Sequence, residues 1–340
     1  MKYAIILLDN SAPSICYYEN NGSLKKLMPF DVLESSIKFC RENDLYASIV
    51  YGNCSLTPRY RELLDTFPHV KIMPFKNINL ATEEDICVLD MDDNDTDLGS
   101  VPDNNKLNLI IRLSVFNTKI LYEVISEYGN KFKRLNVILK DVEKAGENDL
   151  NDYRINLQNL AELVYKKLSK GEKPDVSIIT DRIFLGNMNN CEAGITHFSI
   201  APNGKFYLCP GFYFSDAQNE VGSLKKGLDI KNSRLLEIEN APICSICDCY
   251  QCKRCIYLNG RMTMELNTPS HQQCVISHHE RNAAGLMLIK LHDKGFFPEI
   301  NKIPALYYLD PFDLIKGSDG YLYNMEKVKK TMFSTDKTQG

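Results

Sequence analysis

Lys2-Tyr-Ala-Ile-Ile-Leu-Leu8, a helical pattern from Asp31 to Asn43, and Ala47-Ser-Ile-Val-Tyr51 read together as strand, helix, strand, the unit from which a parallel sheet is built. Asp31-Val-Leu-Glu34 has the spacing of a capping box, and Leu33, Ile37 and Cys40 recur at helical intervals behind it. The alternation continues. Strands are predicted at Val70 to Met73, Ile86 to Leu89, Leu107 to Leu113, Leu135 to Leu139 and Val176 to Ile179. Helices are predicted at Pro58 to Thr66, at Asn117 to Tyr128, and from about Asp149 to Lys170, where Leu157, Leu160, Val164 and Leu168 share one face. Seven strands with intervening helices give an α/β fold, a partial or open βα barrel, although a doubly wound sheet would produce much the same string.

A chain of 340 residues is long for a single core, which divides it into residues 1–183 (the α/β domain), residues 184–292 (a cysteine-rich domain) and residues 293–340 (a C-terminal extension). With 44% hydrophobic and 25% charged residues it has the composition of a folded globule. A net charge of −4 leaves no basic field for neutralising phosphates, so no nucleic-acid partner is expected. The first apolar run, Ala4 to Leu8, stops at Asp9, far short of a membrane span or signal core, and the expected location is cytoplasmic, with no membrane partner. Asp90 to Asn105 reads as an acidic, solvated loop. Asp93, Asp95 and Asp97 alternate as in a calcium loop, but Leu98 stands where such a loop needs glycine and Asn104 where it needs glutamate. Beyond Val275 a helix is expected to His292, stopped by Asp293-Lys-Gly295.

Eight of the twelve cysteines fall between Cys191 and Cys274, roughly one residue in ten, which is the density of a disulfide or metal scaffold. A reducing compartment disfavours disulfides, so metal or iron–sulfur ligation leads. The order is Cys191, twelve residues, Gly204, four residues, Cys209, then Cys244-Ser-Ile-Cys247-Asp-Cys249-Tyr-Gln-Cys252-Lys-Arg-Cys255, and Cys274 after eighteen more. Eight thiolates would fill two four-coordinate sites, with distant ligands brought in by the fold.

This arrangement resembles the SPASM domain, the auxiliary iron–sulfur module at the C-terminus of many radical-SAM peptide maturases. Ile200-Ala-Pro-Asn-Gly204-Lys-Phe-Tyr-Leu-Cys209-Pro is similar to that family's hairpin ahead of its second ligand. The chain departs from the pattern in its middle run: Cys244, Cys247, Cys252 and Cys255 are spaced two, four and two rather than two, five and three, and Cys249 is added. The resemblance implies a first auxiliary cluster on Cys191, Cys209 and Cys255 and a second on Cys244, Cys247, Cys252 and Cys274. Cys249 is then the candidate for the missing fourth ligand, and His197 lies near where some members carry a further cysteine. The Cys-x3-Cys-x2-Cys loop that holds the catalytic cluster of radical-SAM enzymes is absent from the chain. After the first strand there is only Cys16, which cannot hold that cluster by itself. The first domain therefore looks like a degenerate radical-SAM barrel. The whole layout is similar to the CXXX repeat peptide maturases, on Ala4-Ile-Ile-Leu-Leu-Asp9, Ser14-Ile-Cys16-Tyr-Tyr-Glu19, Met28-Pro-Phe-Asp-Val-Leu33 and Phe206-Tyr-Leu-Cys-Pro210.

The likeness implies maturation of a ribosomally made, cysteine-rich precursor peptide by a protein carrying two [4Fe-4S] clusters, with a separate radical-SAM enzyme as a conceivable partner. A peptide-binding or adaptor protein with structural zinc is the alternative, since Cys-x2-Cys pairs are frequent zinc ligands. Catalysis of another kind finds no phosphate loop or nucleophile elbow, and His278-His-Glu280 lacks zincin spacing and reads as solvated helix surface. Cys40 and Cys87 lie in apolar patterns as core thiols, Cys54 lies in a loop, and Cys16 reads as a packing residue for want of a visible activating neighbour.

Overall fold

The computed structural model describes residues 1–20, 25–91, 107–184, 191–247, 249, 252–304 and 310. Six parallel strands follow one another in sequence order: β1 (Tyr3–Leu7), β2 (Tyr46–Val50), β3 (Val70–Pro74), β4 (Ile86–Asp90), β5 (Asn108–Ser114) and β6 (Arg134–Lys140). A doubly wound sheet reverses direction at a switch point, whereas here each strand is laid outside the last, as in a barrel wound one way. The chain then returns to the other side of β1, where β7 (His197–Ile200) pairs parallel with Tyr3 to Ile6. β8 (Phe206–Tyr207) folds back antiparallel on β7 across the Pro202-Asn-Gly204 turn, and Gly204 takes the left-handed conformation that this turn demands. The result is an open eight-stranded sheet, a partial βα barrel.

Strand alternation sorts the side chains. Leu7, Val50, Ile72, Val88, Ile110 and Ile138 share the inner face. On the outer face, Ala4 and Ile6 pack under α1 (Phe30–Glu42) and α2 (Pro58–Asp65). Leu109, Ile111 and Val137 pack under α3 (Leu121–Tyr128) and α4 (Glu147–Ser169). The outer core then runs without a break into the cysteine-rich half: Leu157 and Leu160 of α4 belong to the same buried cluster as Leu258 of α7 (Ile256–Thr263) and Ala284 of α8 (His271–Asp293).

Four expectations need correction. Val176 makes a single bridge to Leu135, and the residues after it form α5 (Ser177–Phe184) rather than a seventh strand. Thr180 supplies local bonds that favour a helix start: its Oγ1 accepts from Val176 N at 2.9 Å and donates to Asp175 at 3.0 Å. Because every residue from Ser177 to Ile183 is buried, no helical periodicity is visible there. The Asp31–Glu34 capping box is not formed. The helix begins at Phe30 behind Pro29, with Asp31 in its first turn, where the helix dipole favours it. The helix expected from Asn117 starts as a 3₁₀ segment over Val115–Ile120, broken at Asn117, before α3 proper. Asp90 is no part of a solvated loop but the end of β4, in an ion pair with Arg112. The rest of that acidic run and most of the C-terminal extension lie outside the described residues.

Candidate metal centre

The site begins at the C-terminal ends of the strands, where parallel sheets present their loops. Asp90 and Arg112 are register partners on β4 and β5, and Lys140 lies two residues beyond Ile138 on β6, so all three project from the inner face. Asp90 bridges Arg112 at 2.6 Å and Lys140 at 2.5 Å. Arg112, only 3% exposed, spends its remaining donors on the loop after β1: Nε on the Cys16 carbonyl at 3.2 Å, and Nη2 on the Tyr18 carbonyl at 3.0 Å and on Glu19 at 2.6 Å.

That loop is braced from within as well. Asp9 accepts from Ser11 N at 2.7 Å and from Cys54 N at 3.2 Å. Asn20 donates to the carbonyls of Asn10 and Ala12, and Tyr18 OH donates to that of Pro13. Cys16 is therefore fixed at the mouth of the sheet by bonds that leave its thiol free to face the cysteine-rich half.

Two sets of thiols gather beside it. Cys191 precedes β7, Cys209 is the N-cap of α6 (Pro210–Ser215) and Cys255 is the N-cap of α7, its sulfur accepting from Leu258 N at 3.5 Å. Cys16 and Cys209 pack against the buried cluster that contains Cys255, and Cys191 and Cys209 both lie within electrostatic reach of Cys16 and Cys255. The second set is Cys244, Cys247, Cys252 and Cys274, mutually close, with Cys249 beside Cys247 and Cys252. Ser277 ties this set to α8: its carbonyl accepts from Cys249 Sγ at 3.4 Å and its hydroxyl meets Cys252 Sγ at 3.3 Å. His278 Nε2 stands 3.7 Å from Cys247 Sγ. Cys244, Cys247, Cys249, Cys252 and Cys274 line one cavity together with Cys255 of the first set, and Tyr17 is on its wall.

His278, His279 and Glu280 are therefore buried rather than solvated. They lie where α8 crosses α4 and α5, and Glu280 ion-pairs with Arg182 and accepts from Tyr153 at 2.9 Å. Nothing in a helical periodicity distinguishes such a face from a wet one. Arg112 and Asp90 carried a better signal, a charged side chain in the apolar run Leu109-Ile-Ile-Arg-Leu113. His197 sits on β7 opposite Tyr3, its ring held below the usual histidine range by burial.

The electrostatics describe a nest of thiols that resist ionising together. Burial pushes Cys191 and Cys244 up to about 12, and burial also raises Cys209, Cys249 and Cys274. Cys255 rises chiefly through the neighbouring Cys16 thiol, and Cys16 correspondingly falls to about 7, aided by the Tyr17 amide and the charges of Lys253 and Arg112. Buried thiols that repel one another's ionised forms suit a cation, which releases their protons on binding. Lys253 is anchored to Asn136 at 2.6 Å, and Arg254 is anchored to Asn267 and to the Leu236 carbonyl. These cations would offset the net negative charge of a thiolate-bound iron–sulfur group. Among the described residues, no three Cys, His, Asp or Glu side chains stand ready to hold a single ion. A four-iron cube takes its four thiolates on four separate irons, so the donor chemistry fits that group.

No family model matches the chain, and neither does any curated protein. Solved structures do. Polyhistidine-tagged anSMEcpe with bound AdoMet matches over 96% of this chain and 98% of its own, at 15% identity and a TM-score of 0.58. Native anSMEcpe with bound AdoMet and Cp18Cys peptide matches over 86% and 99%, at 15% identity and 0.59, and the Kp18Cys complex over 86% and 100%, at 16% and 0.58. anSMEcpe is a radical-SAM, SPASM-domain anaerobic sulfatase maturase. The fold is radical-SAM-like. The match spans nearly the whole of both chains, so the likeness includes the cysteine-rich half as well as the sheet. No helix among the described residues is long and apolar enough to cross a membrane.

Proposed function

We propose that the chain takes part in maturing a ribosomally made, cysteine-rich peptide, holding the precursor and carrying two four-iron clusters on its two sets of thiols. The observation that carries this reading is the gathering of cysteines scattered over the sequence into two half-buried sets at the mouth of a radical-SAM-like sheet. Two of the solved neighbours hold a peptide beside AdoMet, which supports a peptide as the partner here. The ligands would be Cys191, Cys209 and Cys255 for one cluster and Cys244, Cys247, Cys252 and Cys274 for the other, with Cys249 adjoining the second. Such clusters, when bound, supply one-electron transfer or an open iron for a substrate thiolate.

The chain's own residues set limits on the chemistry. Without a Cys-x3-Cys-x2-Cys loop it has no place for the cluster that cleaves S-adenosylmethionine, so a radical step would need a separate radical-SAM enzyme. The protein's part is then to bind and orient the peptide and to relay electrons or hold a thiolate. Structural zinc in a peptide-binding adaptor is the second reading, favoured by the Cys244-x2-Cys247 and Cys252-x2-Cys255 pairs.

Anaerobic purification with iron, sulfide and zinc measured on one sample separates the two. About eight iron and eight sulfide per chain, with visible absorption that bleaches on dithionite, is the expected result. Colourless protein with stoichiometric zinc would overturn it in favour of the adaptor. Co-purification of a cysteine-rich peptide expressed alongside tests the partner.

A further inference from the structure

Cys16 was expected to be a packing residue, and the fold gives it a different setting. Resting on the iron–sulfur reading above, we propose that Cys16 is the fourth protein ligand of the centre formed by Cys191, Cys209 and Cys255, so that the loop after β1 and the cysteine-rich segment share one four-iron cluster. The first set of thiols is one short within the cysteine-rich segment, because Cys249 is committed to the other set: its sulfur donates to the Ser277 carbonyl at 3.4 Å, and its amide donates to Cys247 Sγ at 3.4 Å. Cys16 and Cys209 pack against the buried cluster that contains Cys255, and Cys16 is electrostatically close to Cys255, Cys191 and Cys209.

Position alone would not make a ligand, since loops move. This loop is held: Arg112, itself buried and fixed by Asp90, bonds the Cys16 and Tyr18 carbonyls, while Asn20 and Tyr18 close the loop on itself. Holding a ligand's backbone while leaving its donor atom free is how a protein preorganises a metal site. The charge also fits. A four-iron cube with four thiolates is a buried dianion in its oxidised state, and Arg112, Lys253 and Arg254 are the cations around this set. On loading, four S–H groups release four protons to solvent as four Fe–S bonds form to the cube, with no change in oxidation state.

The test compares Cys16→Ala, Cys16→Ser, Cys209→Ala and the Cys16→Ala/Cys209→Ala double variant, purified anaerobically, by iron and sulfide per chain and by the electron paramagnetic resonance of the reduced protein. Cys16→Ala should lose the same half of the iron as Cys209→Ala. The double variant should lose no more than either, and Cys16→Ser should keep part of the iron with an altered resonance from the oxygen ligand. Iron retained on the Cys244 set serves as the internal record of folding. Wild-type iron in Cys16→Ala beside a half loss in Cys209→Ala would overturn the assignment, as would loss of all iron from both Cys16 variants, or a Cys16–Cys255 disulfide in the anaerobic wild type. Zinc lost in parallel from Cys16→Ala and Cys209→Ala would uphold the four-thiol site and overturn only the iron–sulfur reading. Wild-type protein without any metal would overturn both.

Discussion

Arg112 shows how a single side chain can set the geometry of a site that it does not join. Its guanidinium links the strand ends to the loop after β1 through Asp90, Glu19 and two backbone carbonyls. Replacing it with Met would break the ion pair with Asp90 and release the loop. We expect a loss of about 3–5 kcal/mol, read from the shift in denaturant midpoint, and Arg112→Lys should not restore it because one ammonium cannot span a fork of acceptors. His279 supplies a pH dependence. Burial holds its ring neutral, with its pKa lowered to about 3 from an unfolded value of 6.5, and the charges of Arg154 and His278 push the same way. Its contribution to stability is complete above pH 6.5. It falls by up to about 1.4 kcal/mol per pH unit from there towards pH 3, as the unfolded chain takes up a proton that the folded one refuses. His279→Gln should flatten that limb of the stability–pH curve, and an unchanged slope would refute the assignment. Sequence pattern made the eight clustered cysteines plain, but it could not show the burial of His278 to Glu280, because a helix packed on several sides has no wet face to reveal its orientation.

At the scale of elements, helix ends and strand runs were legible where a local chemical rule decided them. α8 closes as expected: Gly295 N donates to the His292 carbonyl and Phe296 N to the Leu291 carbonyl, with Gly295 at a φ of +80°. No atom of the described residues lies within 4 Å of the position of an added Cβ there, so Gly295→Ala should cost only the left-handed backbone penalty, about 1–2 kcal/mol, measurable as a lowered melting temperature. Six of the seven expected strands are present, since their apolar runs are bounded by polar turns. The seventh failed because the run Val176 to Ile179 suits either a buried strand or a buried helix, and the local side-chain bonds of Thr180 tip it to helix. The segment from Cys191 to Cys274 has only short elements before α7, so its order should depend on metal. Cys247→Ala and Cys252→Ala should each lower metal content and open this region to proteases, and unchanged stoichiometry in both would refute their role.

For the molecule as a whole, the sequence left barrel and doubly wound sheet equally open, because both are spelled by the same alternation of strand and helix. Strand order decides it, and that order depends on long-range packing that periodicity does not encode. The two halves likewise looked separable by composition, yet α8 lies on α4 and α5, and one buried cluster runs from β5 to α8. The placement of β7 against β1 also governs how the chain must be made. β1 gains its second neighbour, β7, only after about 190 further residues have been made. At translation rates of about 5–20 residues per second, that is roughly 10 to 40 seconds during which one edge of β1 stays open to any passing strand. The nascent protein therefore stands most in need of a chaperone at β1, and the cysteine-rich half can be set against the sheet only once that interval has ended.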